Sequence, residues 1–348
     1  GVATLSVTPT VPKDDLSLMT TGDVTYVLNT KKPVSKDPIS KTRPLDKSAL
    51  VFIKQGDYEK KYGVRINIDG DANSPHEHHW YSGASQRKAD DKFFNTAKNA
   101  QADTILEGLF SNSTDPVYDA HGDEGSEKEA VGTNNGLGNL NANGFTAELL
   151  APQIGKITGP DSPNWTIHPV DSMGGEGVGV VHKSVTALTD LPTVAPHRYK
   201  VEIAGDLEEQ TDNRYVQFLT AGSDETTPDG EIGQGSWYEI GGANIPNHFN
   251  INTMPLMLRS TAENVFELGH MPLDGLLAGD DNTNPDPSFV GSTITGVFSF
   301  KGRLGFLSGA SVSLTEVKFG SYDALNDIQH YNFYRTSVAS LLDNDTID

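Results

Sequence analysis

The sequence predicts a mainly β protein with an inserted α+β domain. Three observations carry that expectation. Short apolar runs alternate with polar residues near both ends, glycine and proline punctuate them (35 Gly and 19 Pro in 348 residues), and the best stretch of helical period is confined to residues 90–110. The expected layout is a first β segment at 1–46, an inserted α+β domain at 47–198, and a β-sheet region at 199–348 that returns to the fold of the first.

The first element is a hairpin. Leu16 and Leu18, then Val24, Tyr26 and Leu28, alternate around Thr21-Gly22-Asp23, which is period two on both sides of a short glycine turn. Lys31, Lys32, Pro33 and the run to Pro44 read as an exposed connection. The pattern restarts at Ala49 with LVFIKQGDYEKKYGVRINIDG, where Val64, Ile66 and Ile68 alternate; this predicts a second hairpin and a domain boundary near 47. In DDKFFNTAKNAQADTILEGLF, Phe94, Ala97, Gln101, Ile105 and Leu109 fall near one helical face. Residues 111–144 are polar, acidic and glycine-rich, and predict a protruding or mobile loop. Short strands resume at NWTIHPV and GVGVVHKSV, at the pair RYKVEIAG and RYVQFLTAG, at GSWYEI, and in NHFNINTMPLMLRS and ENVFELG. The stretch FSFKGRLGFLSGASVSLTE, 298–316, then sets Phe298 with Phe300, Leu304 with Phe306, and Val312 with Leu314 on common strand faces. Gly302 and Gly309 suit hairpin turns with positive φ. Arg303 reads equally as a tie between strands or as a surface cation.

Charge narrows the function classes. The chain carries 47 Asp and Glu against 26 Lys and Arg, a net −21, and residues 1–65 hold eleven basic against seven acidic side chains, so the remainder is close to −25. Such a surface repels phosphates and argues against gripping nucleic acid; a solubility adaptation to a salty habitat explains it equally well. Zero cysteines excludes disulfides, thiolate catalysis and cysteine-bound metal. No apolar run approaches a membrane span and no basic-then-apolar leader opens the chain. A chain that starts at Gly1 and stops directly after a dense motif is expected to be part of a longer protein.

Candidate chemistry is thin. His76, Glu77, His78 and His79 form the one histidine cluster, but Trp80 stands where a zincin would place its second histidine, and alternation offers two ligands on one strand side with no third. The cluster is expected to be solvated or adventitious. Asp69, Asp71 and Asn73 begin like a calcium loop, yet Ser74 and Trp80 replace the glycine and the bidentate glutamate. Asp343, Asp345 and Asp348 are expected to serve turns. GGEGVGVVH, 174–182, lacks a Walker lysine and a following helix, so it reads as a glycine-kinked strand. With 47 acids, no single carboxylate pair points to glycoside hydrolysis. No catalytic residue, cofactor or metal is assigned.

One specific signal remains. Pro287 to Gly291, Val297 to Phe300, Arg303 to Gly309, Asn332 to Tyr334 and the acidic close Asp343 to Asp348 strongly resemble, in order, the run found in the lower tail-tube (nozzle, or tail tubular protein B) family of short-tailed bacteriophages. DLSLMTTGDVTYVLNTKKPV and LPTVAPHRYKVEIAGD are similar to earlier segments of that family, whereas the acidic loop is not. Thr346 replaces the usual Pro, and Tyr331 stands where another aromatic is common; neither change touches a charge. The resemblance implies partial, irregular β-propeller-like blades. It also implies a structural virion protein of the phage tail: a ring of about six copies that contacts the upper tail-tube or adaptor ring and the tail fibres, with genome DNA passing through unbound. The rival readings are a tail-associated polysaccharide- or peptidoglycan-degrading enzyme and a module that binds a host receptor or tail fibre.

Overall fold

A computed structural model describes residues 12–42, 44–82, 98, 100–114, 116–118, 130–140, 144–204, 213–315, 322–323, 328–329 and 331–334. Strands predominate, as expected. The chain divides into two units, one of Gly1–Pro44, Glu208–Tyr215 and Glu239–Asp348, the other of Leu45–Leu207 and Val216–Tyr238.

In the first unit the early hairpin forms as its alternation requires. Strands Leu16–Thr21 and Val24–Asn29 pair antiparallel, with Thr21 opposite Val24 across the Gly22-Asp23 loop. Leu256–Ala262 and Val265–His270, from much later in the chain, complete a four-stranded sheet in the order just given. A three-stranded meander, Gly296–Phe300, Arg303–Ser308 and Ser311–Leu314, supplies the second sheet. Its turns place Gly302 at φ 79° and Gly309 at φ 60°, the conformation that only glycine adopts without strain. Leu304 and Phe306 share a buried face. In the third strand Val312 and Leu314 share a face as expected, and the core-facing positions are Ser313 and, just past the strand, Thr315. Register explains the choice: Ser313 lies opposite Phe306, and Thr315 accepts a hydrogen bond at Oγ1 from the Leu304 amide, so the core-facing polar groups are satisfied.

Opposite Phe298 in the ladder stands Gly305, and the Phe298 ring lies over it; a Cβ at Gly305 would sit 2.3 Å from that ring. Gly305→Val is therefore expected to evict the ring and cost about 1–3 kcal/mol. Urea unfolding checks this, and an unchanged midpoint would mean that the ring is not seated on the glycine.

The second unit contains a three-stranded sheet (Trp165–Asp171, Lys61–Ile68, His76–Tyr81), a four-stranded sheet (Val178–Val181, Ala49–Ile53, Ile154–Thr158, Thr146–Ala151) and all but the strand-end residues 214–215 and 239–240 of a five-stranded one (Ser184–Val185, Lys200–Ile203, Arg214–Thr220, Ile232–Ile240, Val194–Pro196). The expected hairpin from Ala49 to Ile68 does not form. Its two strands belong to different sheets, because Ala49–Ile53 is buried on both faces: Ala49 and Val51 face one core and Leu50 another. A strand used on both faces needs covering sheets on each side, and its sequence neighbour supplies only one.

Helix Ala102–Phe110 buries Ile105, Leu106 and Leu109 against the first of these cores. Phe94 and Ala97 lie outside the described residues, and Gln101 is the exposed N-cap. Much of the expected acidic loop also lies outside them. Its described second half does not protrude: Leu137 and Leu140 are 1% and 5% exposed and complete the helix-side core. Sequence alternation puts the return to the first unit at 199. The strands Lys200–Ile203, Arg214–Thr220 and Ile232–Ile240 instead share a core with Leu50 and Val181, and Val216–Tyr238 groups with the second unit.

Candidate functional site

Five of the segments that carry the family resemblance, the early hairpin and the motifs at 287–291, 297–300, 303–309 and 332–334, converge on one aromatic core in the first unit, whereas LPTVAPHRYKVEIAGD belongs to the second. Phe289 contacts Phe306, Phe333 and Phe249 at centroid distances of 5.4, 5.2 and 5.5 Å, Phe306 stacks on Phe333 at 4.5 Å, and Phe249 stacks on Tyr334 at 5.0 Å. Tyr26 of the first hairpin meets Tyr331 edge-on, hydroxyl to hydroxyl at 2.5 Å. Lys36 closes the cluster. Its ammonium lies 2.9 Å from Asp286, 3.8 Å from Asp281 and 5.9 Å from the Tyr334 ring, and the Tyr334 hydroxyl donates to Asp286. The two carboxylates share a cation, which is a salt-bridge arrangement and not the acid and base pair that hydrolysis needs. Arg303 makes an interaction within the fold. Asp343 to Asp348 lie outside the described residues.

The glycine-rich segment 174–182 holds an anion after all, and the anion is its own. Asp171, at the end of its strand, accepts from the Met173 and Gly175 amides on Oδ1, each at 2.8 Å, and from Gly177 and Val178 on Oδ2, at 2.9 and 3.2 Å. Burial pushes the Asp171 carboxyl upward, but the four N–H donors together outweigh it and hold the group below the usual carboxylate range. A phosphate could enter only by displacing this carboxylate. The strand Val178–Val181 follows, paired without a register shift to Ala49–Ile53. Reasoning from sequence overlooked Asp171 itself, whose signal was an acid directly upstream of a run of glycines whose amides can turn inward.

Residues His76–Tyr81, at the end of a stretch that reads as a loop in sequence, form a strand, and its side chains are engaged within the chain. His76 Nε2 lies 2.7 Å from Asp71 Oδ2, and His78, 7% exposed, donates from Nδ1 to the Gly136 carbonyl at 3.2 Å. His79 Nε2 donates to the Thr133 carbonyl. On the other face Glu77 bonds Lys61 and Arg65; the Lys61 ammonium holds its carboxyl below the ordinary value, against a smaller upward push from burial. Burial lowers His78 and His79. Asp71 also caps its own turn through the Asn73 amide, so the calcium-like stretch is a loop held by hydrogen bonds. A cleft of about 380 Å³ runs beside the strand, floored by Ile66, Ile68, Leu140 and Phe145 with His76 and His78 on its rim. Among the described residues no three His, Asp or Glu side chains converge as metal ligands. Saturating Zn²⁺ is expected to leave the thermal midpoint unchanged; a metal-dependent rise abolished by His78→Gln would reveal a ligand set.

Two comparisons bear on this geometry. A family model described as "Bacteriophage nozzle protein" matches residues 3–348. The chain is 26% identical over 340 residues to "Tail tubular protein gp12" of Escherichia phage T7, an alignment covering 97% of this chain and 35% of that protein. The chain thus spans about a third of the length of the curated relative it matches.

Proposed function

We propose, from the premise that this chain belongs to the bacteriophage nozzle protein family, that it is a structural component of the phage tail which builds part of the channel for genome DNA. The single observation that carries this reading is the family match across nearly the whole chain. The geometry agrees in kind: the shared motifs form packing and turns, not convergent catalytic groups. The relative is likewise described by the tail part it builds, and the enzyme reading is not favoured.

In the finer reading, the sheets of the first unit act as partial, irregular propeller-like blades, and copies assemble into a ring, six in number, that meets the adaptor ring above and the tail fibres around it. Carboxylates facing the lumen would repel phosphates over a range of about 8 Å at physiological salt, so DNA slides and does not bind. The net charge of −21 supports this. Particle imaging with a label on this chain is the test, with density expected at the lower end of the tail. Label absent from purified virions would overturn the reading, and carboxylates lying mainly on the outer surface of an assembled ring would remove the repulsive lumen.

A further inference from the structure

Lys36 is fixed far more tightly than a surface lysine. The backbone on either side of it is tied down: the Val34 amide donates to the Ser292 carbonyl, the Asp37 amide to the His248 carbonyl, and the Asn250 amide to the Ser35 carbonyl. Its side chain, 13% exposed, crosses the Tyr334 ring and brings the ammonium to 2.9 Å from Asp286 Oδ1. The Asp286 side chain is 29% exposed, and the same Oδ1 accepts from the Tyr334 hydroxyl at 3.1 Å. Tyr334 is buried and stacked on Phe249, so its hydroxyl cannot swing away. A second carboxylate, Asp281, lies 3.8 Å from the same ammonium and is 71% exposed. One amine, one shielded carboxyl with a donor aimed at its oxygen, and one solvated carboxylate within reach are the parts of an amide-forming site.

We infer that Lys36 and Asp286 condense into an intramolecular isopeptide bond, Lys36 Nζ to Asp286 Cγ, and that the salt bridge is the reactant state. Asp281 takes a proton from the Lys36 ammonium and frees the lone pair on Nζ. Nζ attacks Cγ, and the charge that gathers on Oδ1 meets the Tyr334 O–H already directed at that atom. The C–Oδ2 bond then breaks. Of the three ammonium protons, one stays on the amide nitrogen and two leave with Oδ2 as water, carried across by Asp281. The step consumes no oxidant, reductant or cofactor.

Two physical terms favour it. Both reacting groups are held by the fold, so the reaction is intramolecular with the translational cost already met. A partly buried ion pair also carries a desolvation penalty that a neutral amide does not. The Lys47–Asp161 pair, as close at 2.5 Å but 65% and 75% exposed, lacks that shielding and stays an ion pair. In a chain without cysteine no disulfide can act as a staple, and this bond would fasten the segment around Lys36 to the one leading into Phe289, restricting the unfolded chain as a disulfide does. The inference goes beyond the tail-channel reading and stands or falls independently of it.

The test is the intact mass of the full 348-residue chain, followed by tryptic mapping. Wild type is expected to weigh one water molecule less than its sequence and to yield a branched peptide joining Lys36 to Asp286. Lys36→Arg keeps a cation at the site but cannot form the bond, and Asp286→Ala removes the electrophile; both are expected to show the full mass, with circular dichroism confirming the fold. Asp281→Ala is expected to slow cross-linking after refolding by about 100-fold, the usual contribution of a proton-transfer group, and Asp281→Glu to restore it. Wild type at its full sequence mass overturns the inference whatever the variants do. So does a lost water that maps to a succinimide at an Asp-Gly step such as Asp229-Gly230, with Lys36 in an ordinary linear peptide. Cross-linking of Asp281→Ala at the wild-type rate overturns the step as written.

Discussion

Phe289→Ala is expected to lower the unfolding free energy by about 3–5 kcal/mol, the usual cost of deleting a buried phenylalanine. Phe289 is 0% exposed, and three of its ring neighbours, Phe249, Phe306 and Phe333, come from segments far apart in sequence. Backbone bonds anchor the residues around it: the Val290 amide donates to the Pro287 carbonyl, and Gly291 donates to the Val34 carbonyl. The surrounding rings therefore cannot collapse far into the space left behind, which places the cost in the upper part of the range for core truncations. Phe289→Leu, which keeps most of the volume, is expected to cost less than half as much. Guanidinium unfolding of the two variants measures the difference, and equal losses would mean that volume does not govern this core.

Asp171→Ala is expected to cost about 2–4 kcal/mol, because it strands four amides at once. The Gly175 amide is exposed enough for water to replace the carboxylate, while the Gly177 and Val178 amides are buried and lose their partner outright. The sign of the pH dependence follows from the lowered carboxyl. Its contribution is fully present above the unfolded aspartate value of about 3.9 and is lost as pH falls through the folded value below it. Wild type and Asp171→Ala should thus differ most near neutral pH and converge in acid. A gap that stays constant from neutral pH down to the acid limb would show that ionisation of Asp171 contributes nothing to the cradle.

The same cradle marks the limit of reading sites from glycine patterns. A run such as Gly174 to Val178 signals amides free to turn inward, and the nearest carboxylate decides what they hold. The histidine strand teaches the complementary lesson. Alternation placed His76 and His78 on one side, but Asp71 and the Gly136 carbonyl, brought up from elsewhere in the chain, engaged them.

Local periodicity and turn chemistry were enough to determine the Leu16 hairpin, the turns at Gly302 and Gly309 and the helix around Ile105 and Leu109, because each depends only on the residues within it. The ordered motifs from Pro287 to Tyr334 likewise pointed to the family, and in this chain they supply much of the aromatic core. Tertiary structure alone decided which strands became partners: Ala49–Ile53 left its neighbour to pair with Val178–Val181 and Ile154–Thr158, Val216–Tyr238 joined the second unit, and Leu140 was drawn from an acidic stretch into a core. The physical reason is that an alternating strand specifies a face to be buried without specifying what buries it, and that choice depends on surfaces assembled from the whole chain.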